Sequence, residues 1–164
     1  MFDDALRANR TYARRFRLGT MEARTTKGFA VLTCMDTRID PLAILGLQLG
    51  DAKVIRNAGG RATDDALRSL VLATHFLGVE EIAVMHHTRC ALAGQTEESV
   101  RSDLAAAGTT PPPAWSALAM PDPDDALRSD VLAVRSCDLI PSGTRVEGWR
   151  YDVGTGLVSR LVTA

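Results

Sequence analysis

The chain has 164 residues, which is close to the size of one ordinary domain and enough to enclose a single hydrophobic core without disulfides. Hydrophobic residues make up 46% of the chain and charged residues 24%, which excludes a disordered or fibrous protein. Nineteen basic residues against twenty acidic ones leave a net charge of −1, so there is no overall positive field and we expect no nucleic-acid partner.

Residues 1–27 are predicted to form a helical arm. Between Asp3 and Arg17, Leu6, Tyr12 and Phe16 stand among five arginines, a weakly amphipathic pattern with too little apolar surface for a core helix. We therefore expect the arm to lie across another subunit. The chain start has no basic region followed by an apolar stretch, and no segment approaches the roughly 18 apolar residues of a membrane span. We expect a soluble, cytoplasmic protein with no membrane partner.

Three short apolar runs are typical of strands, and they cover residues 29–34, 52–56 and 81–86. Two helical patterns separate these runs, over residues 41–49 and 64–77. The second helix ends before Gly78 and is expected to bury residues at helical spacing, namely Leu67, Leu70, Val71, Thr74 and Leu77. Strands that alternate with helices predict an α/β fold with a mainly parallel sheet flanked by helices.

The second half of the chain predicts two more helices, over residues 96–107 and from Pro123 to about Cys137. Between them, residues 108–123 hold five of the seven prolines, which indicates a surface loop. Residues 145–151 and 157–162 predict a C-terminal strand pair. Too little chain follows the proline-rich loop for a second core, so residues 1–164 are expected to form a single domain.

Chemically reactive side chains follow two of the predicted strands. Cys34, Asp36 and Arg38 alternate after the first strand, and an extended backbone would present all three on one side. His87 and Cys90 follow the third strand at a spacing of three, which places them on one face of a turn. Because ligands bind beyond the carboxyl ends of parallel strands, the two clusters can meet. Two sulfurs and one imidazole favour zinc, and three protein ligands leave a position open for catalysis.

Each cluster taken alone also has a simpler interpretation. A cysteine at a strand end is often only a small buried hydrophobe, and Asp36 with Arg38 can be an ordinary surface ion pair. The coincidence of both clusters after separate strands favours the metal site. His86 is expected to alternate to the face opposite His87 and to bond locally, while His75, inside a helix, is a weaker candidate for proton transfer.

Three ordered segments resemble the signature of the β-class carbonic anhydrases, particularly their short bacterial members: Cys34-Met35-Asp36-Thr37-Arg38, Arg56-Asn57-Ala58-Gly59-Gly60 and His87-Thr88-Arg89-Cys90. The resemblance implies reversible hydration of carbon dioxide to bicarbonate and a proton, by attack of a zinc-bound hydroxide. It also implies one Zn²⁺ per chain, held by Cys34, His87 and Cys90, with Asp36 and Arg38 as a dyad beside the bound water. In a second, inactive form, Asp36 would become the fourth ligand. A homodimer or homotetramer is implied as well.

The second segment ends in paired glycines, which permit positive φ angles and let the backbone approach the site. Ala58, Gly59 and Gly60 are therefore candidates for binding substrate oxygen through their amides, although an ordinary tight turn fits the same residues. Two positions depart from the family pattern: Ala91 stands where glycine is usual, and Arg89 where a small or acidic residue is commoner. Arg89 either adds positive charge beside the metal or points into solvent.

Three alternative functions fit parts of the pattern. The same zinc site can hydrolyse carbonyl sulfide or carbon disulfide, since these molecules share a linear electrophilic carbon. A non-catalytic zinc-binding homologue would keep the ligands but has no need of Asp36 and Arg38. A thiol redox protein would use Cys34 and Cys90 as a reversible disulfide.

Overall fold

The computed structural model describes residues 1–164. Its centre is a five-stranded sheet in the order β2-β1-β3-β4-β5, parallel except for the antiparallel β4–β5 pair. The strands are β1 (Phe29–Cys34), β2 (Ala52–Asn57), β3 (Glu81–His87), β4 (Arg145–Tyr151) and β5 (Val158–Val162). The predicted α/β fold, with its mainly parallel sheet and C-terminal strand pair, is confirmed.

The helices are α1 (Phe2–Ala13), α2 (Pro41–Ile44), α3 (Asp64–Phe76), α4 (Glu97–Ala106) and α5 (Pro123–Arg135). Except in α1, the N-termini have side-chain caps that satisfy free backbone amides. Thr63 accepts from the Ala66 amide at the start of α3, and Asp122 accepts from the first amides of α5. None of the helices is long and apolar enough to cross a membrane.

Two predicted helices are shorter in the structure. The helix expected over residues 41–49 is a single turn that ends at Ile44, because Gly46 adopts a φ of 64° that a right-handed helix cannot continue through. The N-terminal helix ends at Ala13, four residues before Arg17, and buries none of its side chains. As expected, this arm adds nothing to the core of the subunit.

The two faces of the sheet have separate cores. On one face, Leu32 and Val84 pack against Leu70 of α3 and Val131 of α5. On the other face, the core is closed by loop residues as well as strands, and its buried members include Val31, Ile39, Ala83, Met85, Met120 and Tyr151. Because β1 and β3 are covered on both sides, every residue after the first in each strand is buried, as in central parallel strands.

The register of the sheet brings the ends of the central strands together. Cys34, the last residue of β1, pairs with Asn57, the last residue of β2. His87, the last residue of β3, pairs with Tyr151 at the end of β4. The loops that leave these strands therefore start at one edge of the sheet, where ligands bind in open α/β folds.

Candidate metal centre

Three potential metal ligands meet at this edge. The ligand atoms of Cys34, His87 and Cys90 all lie within 4.8 Å of one another, and all three residues are buried. Cys34 ends β1, His87 ends β3, and Cys90 lies in the turn that follows β3. The structure thus brings together the three residues that the sequence pattern singled out, although Cys34 is more than fifty residues from the other two.

The donor set suits zinc, and the imidazole is prepared to bind it. Nδ1 of His87 lies 3.0 Å from the carbonyl oxygen of Thr88, so this nitrogen carries the proton and donates. Nε2 of His87 is buried and has no hydrogen-bond partner. A second-sphere bond that fixes the tautomer and leaves the other nitrogen free is the usual arrangement of a zinc-binding histidine. With two cysteine sulfurs beside it, the site supplies three of four tetrahedral ligands.

The two thiols share a hydrogen bond that separates their acidities. The Cys90 thiol donates to Cys34 and is the largest cause that lowers its pKa. Together with the backbone amides of Asp36 and Gly59, and against the effect of burial, it lowers the pKa of Cys34 to about 4. The same bond raises the pKa of Cys90 above its ordinary value. Without metal, the pair therefore holds one thiolate and one thiol at neutral pH, and a metal ion must displace the remaining proton.

Asp36 and Arg38 form a two-point ion pair beside the ligands. Arg38 Nε donates to Asp36 Oδ1 at 2.9 Å and Nη2 donates to Oδ2 at 2.7 Å, while the Arg38 amide also donates to Oδ1. These bonds hold the pKa of Asp36 well below its usual range. Oδ2 lies 3.9 Å from Nε2 of His87. The carboxylate is thus ionised, oriented and close to the metal ligands.

The expectation that an extended strand presents Asp36 and Arg38 on one side is wrong. β1 ends at Cys34, and the chain turns through residues 35–38 instead of continuing extended. Asp36 and Arg38 meet across this turn, and Arg38 Nη2 also donates to the carbonyl oxygen of Arg89 at 2.9 Å. The guanidinium therefore joins the loop after β1 to the loop after β3.

Arg56 has a structural role that sequence reasoning missed. From β2, its Nε donates to the carbonyl oxygen of Cys34 at 3.0 Å and its Nη2 donates to that of Asp36 at 2.7 Å. Both carbonyl groups belong to the segment that carries the site. Arg56 stood in the second signature segment, but no spacing in the sequence indicated which atoms it would bind.

The paired glycines adopt the conformations expected of them. Gly59 has a φ of 79° and Gly60 a φ of 70°. Ala58 and Gly59 line the cavity beside the ligands. Gly60 is buried behind them, where an added Cβ would stand 2.9 Å from the backbone nitrogen of Cys34. Gly60 therefore packs closely against β1, whereas Ala58 and Gly59 face the site.

The cavity has a volume of about 680 Å³ and a mostly apolar wall. Much of this wall comes from α4, through Val100 and Leu104, and from the proline-rich loop, through Trp115 and Ala117. Leu92, after β3, adds to it. Glu97 fastens the loop to α4, because its carboxylate accepts the backbone amides of Ala117 at 2.9 Å and Ala119 at 2.8 Å. The loop is thus part of the site and an apolar molecule can approach along it.

Arg89 takes the solvent-side alternative. Its φ is 56°, its side chain is exposed, and its guanidinium lies against Gly154 in the β4–β5 turn. The backbone amides of Gly154 and Thr155 lower the pKa of Asp152, and the nearby Arg89 charge adds to this effect. Ala91 lines the cavity. His75 lies away from the site, with Nε2 2.9 Å from the carbonyl oxygen of Leu139.

Comparison with known proteins agrees with this geometry. A family model described as carbonic anhydrase matches residues 29–109. Beta-carbonic anhydrase 1 of Mycobacterium tuberculosis is 33% identical over 159 residues, covering 97% of this chain and 96% of that protein. A carbon disulfide hydrolase of Acidianus sp. is 36% identical, covering 76% of this chain and 72% of that protein. The crystal structure of carbonic anhydrase from Streptococcus mutans superposes with a TM-score of 0.90 at 35% identity, covering 98% and 96% of the two chains. The resemblance is confirmed: the chain belongs to the β-class carbonic anhydrase family of enzymes.

Proposed function

We propose that the chain catalyses the zinc-dependent, reversible hydration of carbon dioxide to bicarbonate and a proton. Cys34, His87 and Cys90 would hold one zinc ion per chain. The observation that carries this proposal is the buried, unpartnered Nε2 of His87 beside two cysteine sulfurs, with an ionised carboxylate 3.9 Å away. Membership of the carbonic anhydrase family supports the reaction.

Zinc, when bound, supplies the Lewis acidity that makes hydroxide available near neutral pH. The chain's own residues orient and protect the reactants. Asp36 Oδ2 is placed to accept a hydrogen bond from the attacking water, and Arg38 keeps this oxygen ionised and directed at the site. The amide of Ala58, at the cavity wall, would bind a substrate oxygen, whereas the Gly59 amide already donates to Cys34. The apolar wall admits carbon dioxide and excludes competing water.

Asp36 also offers a way to close the site. If the carboxylate released Arg38 and turned toward His87, it would supply a fourth ligand and leave no position for water. This change breaks the two side-chain bonds of the pair, at 2.9 and 2.7 Å. The closed form would be inactive, and Arg38 would keep only its bond to the Arg89 carbonyl oxygen.

Hydrolysis of carbon disulfide or carbonyl sulfide is the second candidate. The observation that favours it is 36% identity to a carbon disulfide hydrolase, together with the apolar cavity wall. Turnover of the three gases should be compared on one zinc-loaded preparation. A higher kcat/KM for a sulfur-containing gas than for carbon dioxide would establish this alternative.

The α1 arm supports assembly into a homodimer or homotetramer. Phe2, Leu6, Tyr12 and Phe16 expose 89, 59, 57 and 42% of their surface in the isolated chain. A second copy of the chain would cover this apolar surface, as oligomeric proteins commonly do. Sedimentation analysis of the full chain and of a variant that lacks residues 1–16 tests this point.

Stopped-flow hydration of carbon dioxide tests the main proposal. The native chain and Cys90→Ser should be compared, with zinc measured on both. We expect one zinc per native chain, and loss of both zinc and activity in Cys90→Ser. A native chain that holds zinc and Asp36–Arg38 but hydrates none of the three gases would be a non-catalytic homologue. A reversible Cys34–Cys90 disulfide with no metal would instead indicate redox chemistry.

A further inference from the structure

A buried polar cluster lies behind the metal centre, and the proposed reaction does not use it. Asp130 of α5 accepts a hydrogen bond from Arg61 Nε at 2.7 Å, and its Oδ2 lies 3.0 Å from Nε2 of His86. The exposed fractions of the Asp130, Arg61 and His86 side chains are 7, 12 and 5%. Asp130 Oδ1 accepts the backbone amide of Ala62 at 3.1 Å. One carboxylate therefore bonds Arg61 and Ala62 and lies against the His86 ring, whose nitrogens have no hydrogen-bond partner.

Arg61 connects the Asp130 carboxylate to the turn formed by Ala58, Gly59 and Gly60, here called the glycine turn. Its side chain also donates to the carbonyl oxygen of Leu118. Its backbone is fixed by the Asn57 side chain, which accepts the Arg61 amide at 2.8 Å and donates to the Arg61 carbonyl oxygen at 2.7 Å. The Asn57 side chain thus ties the two ends of the turn that contains Gly60 to each other, and Asp130 holds its Arg61 end.

Two ligands of the candidate metal centre adjoin the groups that Asp130 holds. Gly60, directly before Arg61, packs against the backbone of Thr33 and Cys34 so closely that a Cβ would stand 2.9 Å from either. His86, the other group, directly precedes His87. A shift of the Asp130 carboxylate would therefore change the position of Cys34 through the turn and the position of His87 through β3.

Burying the charged groups of this cluster costs free energy of folding. Burial raises the pKa of Asp130, but the contacts with His86 and Arg61 outweigh it and keep the carboxyl ionised. Replacing a buried ion pair with apolar side chains is often neutral or stabilising, so such a pair is weak support for stability alone. Its specific contribution here is to fix the relative positions of α5, the glycine turn and β3.

We propose that Asp130 is a positioning residue that aligns Cys34 and His87 for metal binding, acting through Arg61 and His86. The proposal rests on the proposed function, since it requires that these residues hold a metal ion. It concerns the geometry and affinity of the site, which are measurable without turnover.

Cobalt(II) is the probe that tests the proposal. Loaded into the native chain, it should give the visible bands of a tetrahedral site with sulfur ligands, and its affinity can be measured by competition with a chelator. We expect Asp130→Asn to weaken cobalt binding by about tenfold or more and to alter the bands, as loss of outer-sphere partners commonly does.

Val131→Ala is the matched control. Val131 neighbours Asp130 in α5, is 1% exposed and packs in the core, so its truncation destabilises the same helix without touching the cluster. Cobalt affinity in this variant should stay within about twofold of the native value. All variants are compared below their unfolding temperatures, as judged by circular dichroism.

Arg61→Lys serves where Asp130→Asn does not fold. It keeps the charge but cannot reach both Asp130 and the Leu118 carbonyl oxygen, so it should also weaken cobalt binding and change the spectrum. Native bands and affinity in a folded Asp130→Asn or Arg61→Lys would overturn the proposal, as would an equal loss in Val131→Ala. If the native chain binds cobalt but hydrates no carbon dioxide, the proposed function fails and this test still gives its answer.

Discussion

Arg56 Nε donates to the carbonyl oxygen of Cys34 at 3.0 Å, so a side chain of β2 holds the backbone of a candidate metal ligand in β1. The same guanidinium bonds the carbonyl oxygen of Asp36 at 2.7 Å. Two residues with different proposed tasks, metal binding and hydrogen bonding to the attacking water, are thus held at a fixed separation by one planar group. An ammonium group is a single point and cannot reproduce this two-point contact.

We therefore expect Arg56→Lys to lower kcat/KM for carbon dioxide hydration by about tenfold, because Asp36 loses its fixed position relative to Cys34. Zinc content should remain near one per chain. Arg68→Lys is the control, since Arg68 pairs only with Asp65 on the exposed face of α3. Stopped-flow kinetics and metal analysis on both variants check the prediction, and native activity in Arg56→Lys would contradict it.

Gly60→Ala should destabilise the fold more than Gly94→Ala, although both glycines have similar positive φ angles. Gly60 and Gly94 have φ angles of 70° and 76°. A Cβ at Gly60 would stand 2.9 Å from the backbone of Thr33 and Cys34, whereas nothing lies within 4 Å of one at Gly94. We expect a loss of about 1 kcal/mol for Gly94→Ala from its φ alone, and about 2 kcal/mol more for Gly60→Ala. Urea unfolding of both variants measures the difference, and equal losses would show that the contact with β1 is relaxed at little cost.

The sheet and the three metal-ligand candidates were predictable because both depend on local patterns. Apolar runs with helical patterns between them predict parallel strands, and parallel strands place the residues that follow them at one edge. The length of α2 was not predictable from apolar spacing, because the positive φ of Gly46 ends that helix after one turn.

The Asp130 cluster could not be predicted for a different reason. Arg61 and Asp130 are 69 residues apart. In the sequence, a buried aspartate in a helix looks the same as a solvent-exposed one. The direction of Arg89 was equally open, because it depends on the position of Gly154 in a distant turn. Backbone pattern determined where the site forms, whereas the partners of long charged side chains depend on tertiary packing.

The pH dependence of activity should follow from the charge of the donor set. Two thiolates and a neutral imidazole would cancel the charge of a bound Zn²⁺, whereas three histidines would leave it at +2. Ionisation of the attacking water is therefore less favourable here, and hydration activity should rise with pH with a midpoint above 7. Stopped-flow rates between pH 6 and 9, in enough buffer that proton transfer to solvent is not limiting, check this. A flat profile over that range would contradict the charge argument.

The stability contributed by Asp130 should be lost in acid. Its pKa in the folded protein lies below the ordinary aspartate value of about 3.9, so the folded state favours the ionised form and the contribution is complete from about one pH unit above that value. It declines below about pH 5, as the carboxyl group of the unfolded chain takes up its proton, and disappears below the folded pKa. At neutral pH, Asp130→Asn leaves Arg61 buried and unpaired, which should cost about 3 kcal/mol.

Urea unfolding of the native chain and Asp130→Asn at a series of pH values measures this difference directly. A chelator and a reductant keep zinc release from contributing to either curve. The free-energy gap between the two proteins should be constant near neutral pH and should narrow steadily as the pH falls below about 5. Asp125→Asn is the control, because Asp125 pairs with Arg128 while 74% exposed, and its gap should stay close to zero throughout. A gap for Asp130→Asn that is equally wide at acid and neutral pH would show that shape, and not charge, is what Asp130 contributes to the fold.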